Sequence, residues 1–336
     1  MIAPSKPLYR TILHDALVTT RHHRELWLFG FFATFLQLGG VAGILMRLFT
    51  GIGGNGTLQD MINSSYPGAA LIGALSYAGA LRAIWNVRMI ALIVALVALM
   101  LVLLWFVATA EAALVASVPN AKGKKATNVV ANLNRGRAVG WQVVMIHVVS
   151  RLTIGVGFLL ASLPLLLAVE TATARNALLS VISFALAFVL VLTISFMTVF
   201  VVAAVVIDRE SLSDALMTAG NLFRRHWIIC IETALILFAV NVIVSIALAL
   251  IVMLISVPAT LLLIAGIVAA SSPFTTLVIT LFLGSMVALI LFSGSLLTTF
   301  TLATWTLLYM RLRRHGATAK FVRVLHAIPH LLSRHS

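Results

Sequence analysis

The sequence predicts an all-α integral membrane protein, a helical bundle of six transmembrane helices with amphipathic interfacial helices on the cytoplasmic side. The chain has 336 residues, of which 62% are hydrophobic and 10% are charged, whereas soluble domains are about 45–50% apolar and about 25% charged. The apolar residues fall in runs that match a bilayer core of about 30 Å, which takes roughly 20 helical residues. The Lys and Arg residues lie mainly between these runs. This composition excludes a soluble globular enzyme.

Six apolar runs qualify as membrane spans within a single membrane domain, 1–336. Runs of this length, rich in Leu, Ala and Val, are helices, because the strands of a membrane barrel would show short alternating segments. The predicted spans are about 26–49, 89–118, 141–168, 177–207, 227–256 and 277–310.

Two further apolar stretches are not counted as crossings. The segment 67–81 is shorter than a span, and we expect it to be re-entrant or interfacial. The stretch from Trp227 to Ala270 is too long for one span. We expect Pro258 to break it, because proline lacks a backbone donor and clashes with the preceding turn of a helix.

The distribution of basic residues predicts the orientation. With both termini in the cytoplasm, the inner segments hold most of the 23 Lys and Arg residues, as the positive-inside rule requires. The net charge of +14 then reflects topology, so we expect no nucleic-acid partner. The chain is predicted to reside in a bacterial plasma membrane. With a single cysteine, Cys230, no disulfide framework or cysteine-based metal site is possible, and we expect no cofactor and no metal.

An internal repeat precedes each outward-going span: an amphipathic helix, a basic run, a tryptophan and then the span. The interfacial helices are predicted at about 8–24, 126–139 and 211–225, and a fourth at 318–328 in the tail. Apolar residues at helical spacing define one face of the first helix, namely Leu8, Ile12, Leu13, Ala16 and Leu17. Ser211 and Asp214 have the spacing of a capping box at the start of the third.

The basic and tryptophan residues of the three complete repeats are the predicted interfacial anchors. Arg side chains near the membrane surface attract anionic headgroups, and tryptophan prefers the water boundary. One interpretation is that they only fix topology; the other is that they grip acidic headgroups or an acidic partner. The anchors are Arg21, Arg24, Trp27, Arg135, Arg137, Trp141, Arg224, Arg225 and Trp227.

A few polar residues fall within the spans and form a predicted intramembrane polar cluster: Glu111, His147, Arg151, Glu232 and Asn241, with Ser150 and Thr153 beside them. Charged groups in a membrane are costly, so each calls for a hypothesis. In the functional interpretation the cluster is a proton or solute pathway, with Arg151 binding an anionic group. In the structural interpretation Arg151 pairs with Glu232 or Glu111 and fixes helix register.

Two segments carry a resemblance to known proteins. They are RHHRELWLFGFFATF near the N-terminus, followed by GGVAG and GIGGNG, and VVIDRESLSDALMTAGNLFRRHWIICIETALIL farther on. They resemble uncharacterised bacterial polytopic membrane proteins and the glycerophosphodiester phosphodiesterase membrane-domain-like family. The resemblance covers 200–245 and, more loosely, the N-terminal third. It implies a helical, non-catalytic membrane domain, because the phosphodiesterase of that family is a separate soluble domain.

The sequence contains no Ser/His/Asp set, spaced carboxylate pair or zinc-protease motif. We therefore expect a non-enzymatic protein that organises membrane or interacts with lipid, as a possible structural subunit of a membrane complex. Its expected partners are membrane lipids with anionic headgroups on the cytoplasmic face, and a membrane protein or a second copy of the chain. The alternative is a small-solute or ion transporter that uses the intramembrane polar cluster.

Overall fold

A computed structural model describes residues 8–34, 87–121, 129–170 and 174–315, and within these ranges all regular structure is helical. The last described residues of the N-terminal range form a short apolar helix. The fifth helix continues into a five-residue π-helical segment, Ala204–Asp208. In chain order the helices are α1 (Leu8–His22), α2 (Glu25–Thr34), α3 (Val87–Ala121), α4 (Val129–Glu170), α5 (Ala174–Ala203), α6 (Leu212–Val268) and α7 (Ser272–His315).

Five helices in the described ranges are long and apolar enough to cross a membrane, which confirms the prediction of a helical membrane protein. Five of the six predicted spans overlap these helices. Only residues 26–34 of the first predicted span are described; the rest of it, the segment 67–81 and the tail helix 318–328 lie outside the described residues. The five stretches are Ala91–Ala121, Val129–Pro164, Leu178–Asp208, Leu212–Val268 and Ser272–Arg314.

The helix boundaries differ from the predicted segments at three places. From Val129 onward, the predicted interfacial helix 126–139 and the predicted span 141–168 form one helix, α4, without a break. The expected break at Pro258 was wrong, because α6 runs through that residue to Val268. A proline is tolerated in an apolar helix where the freed carbonyl is accommodated by small local adjustments or by neighbouring groups. The span predicted at 277–310 lies within a longer helix, α7, which begins at Ser272.

The break occurs instead at His226, where the backbone of α6 leaves helical geometry with φ −130° and ψ 25°. This residue separates the segment predicted as an amphipathic helix from the apolar segment that begins at Trp227. The predicted cap is present at the start of α6, where the Asp214 amide donates to the Ser211 hydroxyl at 3.3 Å. A local capping signal therefore marks the start of this helix.

The helices α6 and α7 are joined by a three-residue turn. Ala270 adopts a left-handed conformation with φ 48°, and the Ser271 amide donates to the Gly266 carbonyl oxygen at 3.1 Å. A Cβ at Gly266 would lie 2.7 Å from the Thr275 hydroxyl, so the glycine lets the two helices approach closely beside the turn. The result is a long antiparallel helical hairpin.

The described residues divide into two compact units. The first unit contains α1, α2, the end of α3 from Ala113, the start of α4 to Asn134, α6 from Asn221, and α7. The second contains α3 to Ala112, α4 from Arg135, α5 with its π-helical segment, and the start of α6 to Gly220.

In the first unit, α1 packs against α7. Its buried face consists of Ile12, Ala16, Thr19 and Thr20, whereas Leu17 is 55% exposed. The sequence had placed Leu17 with Ile12 and Ala16, so the buried face is rotated toward the threonines. The Arg311 guanidinium donates to the Thr11 hydroxyl at 3.4 Å, which places that end of α7 beside the start of α1.

The short helix α2 packs against the middle of α7 through small and hydroxyl residues. The Ser295 hydroxyl donates to the Trp27 carbonyl oxygen, and the Thr34 hydroxyl donates to that of Thr298 at 3.0 Å. The rings of Trp27 and Phe292 meet edge to face with their centroids 5.7 Å apart. Because Gly30 has no side chain, the α2 backbone lies directly against α7.

The second unit has its core along the buried faces of three helices. Ala108 and Ala112 of α3, Val143 of α4 and Phe200 of α5 have exposed fractions of 0%. Burial continues into the π-helical segment at Ala204 and Val205. The Ser183 hydroxyl donates across to the Ala161 carbonyl oxygen at 2.6 Å. Small residues thus allow the three helices to pack closely.

Large apolar side chains are widely exposed on both units, as expected for helices that face lipid. On α3 the exposed stretch includes Leu92, Met100 and Phe106; on α7 it runs from Phe274 to Phe292. The α7 stretch is about 27 Å long at 1.5 Å per residue, close to the roughly 30 Å thickness of a hydrocarbon core. Surfaces this apolar are unusual on soluble monomers and are typical of membrane proteins.

The contact at Gly30 provides a test of the first unit. A Cβ at this position would lie 2.6 Å from the Ser295 carbonyl oxygen and would clash with the Thr299 hydroxyl. We expect Gly30→Ala to destabilise the protein by about 1–3 kcal/mol, the usual cost of overpacking, and to lower the melting temperature in detergent.

The matched control is Gly284→Ala in α7, where a new Cβ would meet nothing within 4 Å. This variant should melt at or above the wild-type temperature. Equal melting temperatures for the Gly30→Ala variant and the wild type would contradict the close contact between α2 and α7.

Candidate functional site

Two residues of the predicted intramembrane polar cluster meet in the second unit. The Glu111 carboxylate of α3 and the His147 imidazole of α4 are joined by a hydrogen bond of 2.8 Å between Oε2 and Nε2. Glu111 is 6% exposed and His147 is 15% exposed. A buried carboxylate is costly unless it is paired and hydrogen-bonded, and the imidazole provides this partner.

A close approach of α3 to α4 at Gly140 positions this pair. A Cβ at Gly140 would lie 2.7 Å from the Thr109 hydroxyl and 3.1 Å from the Trp105 indole nitrogen. His147 follows Gly140 by two helical turns, so both residues share one face of α4. The glycine therefore allows the separation between α3 and α4 at which Glu111 reaches His147.

Two buried polar atoms beside Gly140 have no hydrogen-bond partner within the described part of the chain: the Trp105 indole nitrogen and the Thr109 hydroxyl oxygen. Most buried polar groups in proteins are hydrogen-bonded, so exceptions call for an explanation. Trp105 and Thr109 thus place two hydrogen-bonding groups on the α3 face that meets α4, in the same unit as Glu111 and His147.

Arg151 lies one helical turn beyond His147 on α4, and its side chain is exposed. Long arginine side chains on apolar helices extend toward more polar surroundings. The cluster in this unit is therefore a buried Glu–His pair with an exposed guanidinium beside it.

The hydroxyl residues near Arg151 form a second contact between helices. The Ser150 and Thr198 hydroxyls are 2.7 Å apart and link α4 to α5. They line a cavity of about 190 Å³ together with Met145, Met197 and other apolar side chains. Thr153, also at this cavity, donates to the Val149 carbonyl oxygen of its own helix at 2.8 Å. The lining is mainly apolar.

The other two residues of the predicted cluster, Glu232 and Asn241, belong to the first unit. The Glu232 carboxylate accepts a hydrogen bond from the Tyr9 hydroxyl of α1. The Asn241 side-chain amide donates to the Leu237 carbonyl oxygen at 2.8 Å. The structure thus gives Glu111 and Glu232 separate partners, His147 and Tyr9.

Most of the predicted interfacial anchors are exposed. Trp141 is 59% exposed and Trp227 is 51% exposed. Trp27 differs, because its indole nitrogen donates to the Thr20 carbonyl oxygen at 2.7 Å and its ring contacts Phe292. The exposed arginines among the anchors are Arg21, Arg24, Arg135, Arg137, Arg224 and Arg225.

Sequence reasoning missed Tyr9, Trp105, Thr109, Gly140 and Thr198. Trp105 and Thr109 are one turn apart within an apolar run, a spacing that places both on one helix face. This spacing could have identified the two residues from the sequence. The pairing of Tyr9 with Glu232 joins residues far apart in the chain, and no local pattern indicates it.

Among the described residues, no group of three or more His, Cys, Asp and Glu side chains is arranged to hold a metal ion. The buried Cys230 is a free thiol. No protein-family model, curated protein or solved structure matches this chain.

Proposed function

We propose that this chain is a non-enzymatic integral membrane protein that binds anionic lipid at its cytoplasmic face, as a membrane-organising protein or a structural subunit of a membrane complex. The observation that carries the proposal is the exposure of the interfacial anchors. Arg135 and Arg137 precede the exposed Trp141, and Arg224 and Arg225 precede the exposed Trp227. Exposed arginines next to exposed tryptophans at the start of apolar helices are what a headgroup region stabilises.

Six spans with both termini in the cytoplasm complete the proposal. The five long apolar helices support five crossings, and α2 supports the start of another at 26–49. The basic residues support the orientation. In this topology the turn between α6 and α7 faces outward, while the cap of α6 at Ser211 faces the cytoplasm. The resemblance to the glycerophosphodiester phosphodiesterase membrane-domain-like family remains a prediction in agreement with this architecture.

The topology is testable with single cysteines, because Cys230 is the chain's one cysteine. In a Cys230→Ala background, Ser272→Cys places an exposed thiol at the start of α7 and Ser213→Cys places one in the first turn of α6. In intact cells, we expect a membrane-impermeant maleimide to label Ser272→Cys at once. Ser213→Cys should react only after permeabilisation. The reverse pattern, or equal labelling of both positions, would refute the proposed orientation.

The anchors are testable through the lipids that the protein retains. We expect the double variant Arg224→Ala/Arg225→Ala to lose part of its preference for phosphatidylglycerol over phosphatidylcholine, because each basic residue near the surface contributes about 1 kcal/mol. The retained lipids would be counted by native mass spectrometry after extraction from nanodiscs containing equal amounts of both.

The control for this experiment is Arg175→Ala, which removes an exposed arginine that the topology places on the outer side. Its lipid ratio should match that of the wild type. If the double variant also retained the wild-type ratio, the anchors would serve topology alone and the lipid proposal would lose its support.

Transport of protons or small solutes is the second candidate function, and the buried Glu111–His147 pair favours it. Carboxylates and histidines within membrane helices occur in proton relays and substrate pathways. Here two titratable groups are 2.8 Å apart between apolar helices, with the Arg151 guanidinium one turn away. The same hydrogen bond also serves a structural role by joining α3 to α4. A measurement of proton flux therefore distinguishes the two functions.

Proton flux into proteoliposomes loaded with a pH-sensitive dye tests this candidate. If the pair conducts protons, Glu111→Gln, which keeps the side-chain shape, should lower the flux at least tenfold. Asp214→Asn, which neutralises an exposed carboxylate, should leave the flux unchanged. Wild-type flux no greater than that of empty liposomes, or equal flux in the wild type and Glu111→Gln, would exclude proton conduction by this pair.

A further inference from the structure

The first unit contains a second, larger cavity, which the polar cluster does not involve. It is an elongated groove of about 630 Å³ bounded by α1, α2, α6 and α7, within the range of about 300–1,000 Å³ that is usual for ligand sites. We refer to it as the α6–α7 groove. Its long walls come from one face of each helix of the hairpin, represented by Val240, Val244 and Ile251 on α6 and by Leu289 and Phe300 on α7.

The dimensions of the α6–α7 groove match one leaflet of a bilayer. Val240 and Ile251 are eleven residues apart, as are Leu289 and Phe300, so each wall extends about 16 Å. Half of a hydrocarbon core of about 30 Å is about 15 Å. Val240 is as far in sequence from the turn at Ala270 as Phe300 is, and Ile251 is as far from it as Leu289 is. This is expected for residues that face each other across an antiparallel hairpin. An acyl chain of one leaflet therefore has the length to lie along the groove.

The chemistry of the lining favours an apolar chain over a polar solute. The Thr20 hydroxyl donates to the Ala16 carbonyl oxygen, the Trp27 indole nitrogen donates to the Thr20 carbonyl oxygen, and the Ser293 hydroxyl donates to the Leu289 carbonyl oxygen. These polar groups are therefore occupied within the protein. A polar solute in the groove would lose its hydration without gaining equivalent hydrogen bonds, which is costly.

One end of the α6–α7 groove carries a positive charge. Arg21 is the single charged residue among those that line it, and its side chain is exposed. Within the described ranges, no hydrogen bond or ion pair involves its guanidinium. Thr11 lies beside Arg311, and α1 runs antiparallel to α7, so Arg21, ten residues further on, lies level with the Phe300 end. A guanidinium binds phosphate oxygens through paired hydrogen bonds.

The groove is open to the side. Leu17 and Phe292, which contribute to its rim, are 55% and 53% exposed. A lipid that diffuses in the bilayer thus has a lateral route into the groove, with its headgroup toward Arg21 and its chain toward Ile251 and Leu289.

From this juxtaposition we infer a specific binding site for one anionic phospholipid. One acyl chain occupies the α6–α7 groove, and the phosphate-bearing headgroup contacts Arg21. This inference rests on the proposed lipid-binding function and deepens it, because it assigns a single lipid to a defined site. Binding to the other interfacial anchors is instead a general attraction of headgroups to exposed arginines.

Photo-crosslinking of the full-length protein in nanodiscs tests the site. The probe is a phosphatidylglycerol with a diazirine in one acyl chain, and crosslinked peptides are identified by mass spectrometry. We expect crosslinks in the α6 and α7 segments between Val240 and Ile251 and between Leu289 and Phe300. Excess unlabelled phosphatidylglycerol should suppress them, whereas phosphatidylcholine should do so much less. Absence of crosslinks in both segments, or equal competition by both lipids, would overturn the inference.

Two variants separate the headgroup contact from the chain contact. Arg21→Gln should lower the groove crosslinking of phosphatidylglycerol about fivefold, the factor expected for one basic residue at the surface. Val244→Trp fills the groove and should abolish these crosslinks for either lipid. The matched control is Arg314→Gln, which removes an exposed arginine at the end of α7 that neither lines the groove nor belongs to the interfacial anchors; it should crosslink like the wild type.

The outcomes distinguish this site from the general function. If Arg21→Gln and Val244→Trp crosslink like the wild type while Arg224→Ala/Arg225→Ala still loses its lipid preference, the groove inference falls and the proposed function stands. If the groove variants lose their crosslinks while the anchor variant keeps the wild-type lipid ratio, the groove site stands without the general anchor function. Wild-type behaviour in all of them would overturn both.

Discussion

The requirement that every backbone polar group be hydrogen-bonded inside its own helix shapes this structure throughout. Hydrocarbon offers no partner for an exposed N–H or C=O group, so segments that cross it must be helical. The same requirement extends to side chains, since hydroxyl groups bond back to the carbonyl one turn earlier, as Thr193 and Thr280 do. The apolar helices can therefore contain many Ser and Thr residues without exposing a free donor to lipid.

Once the helices satisfy their own backbones, close packing decides which side chains meet. In lipid, helices associate through van der Waals contacts and a few polar contacts, and small residues allow the approach. Gly140 brings α3 against α4 in the second unit, and the Glu111–His147 pair forms on the same helices. Gly30 has the equivalent role between α2 and α7 in the first unit. The polar contacts are thus consequences of where glycine permits proximity.

Features determined by local sequence were predicted well. The helical fold class and five long apolar helices followed from the length and composition of the apolar runs, and the cap at Ser211 followed from its spacing to Asp214. Features that depend on the neighbour were not predicted. The buried face of α1 includes Thr19 and Thr20 because α7 lies there, and hydrophobicity alone indicated Leu17. Pro258 was expected to break α6, although an apolar helix tolerates proline where local adjustment accommodates the free carbonyl.

The candidate site was likewise predicted only in part. The chemical types of its residues could be predicted from the sequence, because charged groups are rare inside apolar runs. These types are a carboxylate, an imidazole and a guanidinium. Their pairing could not be predicted, since Glu111 had several possible partners at a similar depth. The meeting of Glu111 with His147 depends on the rotation of α4 about its axis and on the close packing of α3 and α4 at Gly140.

The α6–α7 groove follows from the weak force between helices in lipid. In water, an apolar seam of this size would be driven closed by the hydrophobic effect, whereas lipid chains are as apolar as the side chains that line it. Dispersion contacts still have to be made, because an unfilled seam leaves its lining atoms without partners. An acyl chain provides those contacts without closing the hairpin, and its headgroup then lies where Arg21 ends. A bound lipid of this kind is as much a part of the helix packing as a side chain would be.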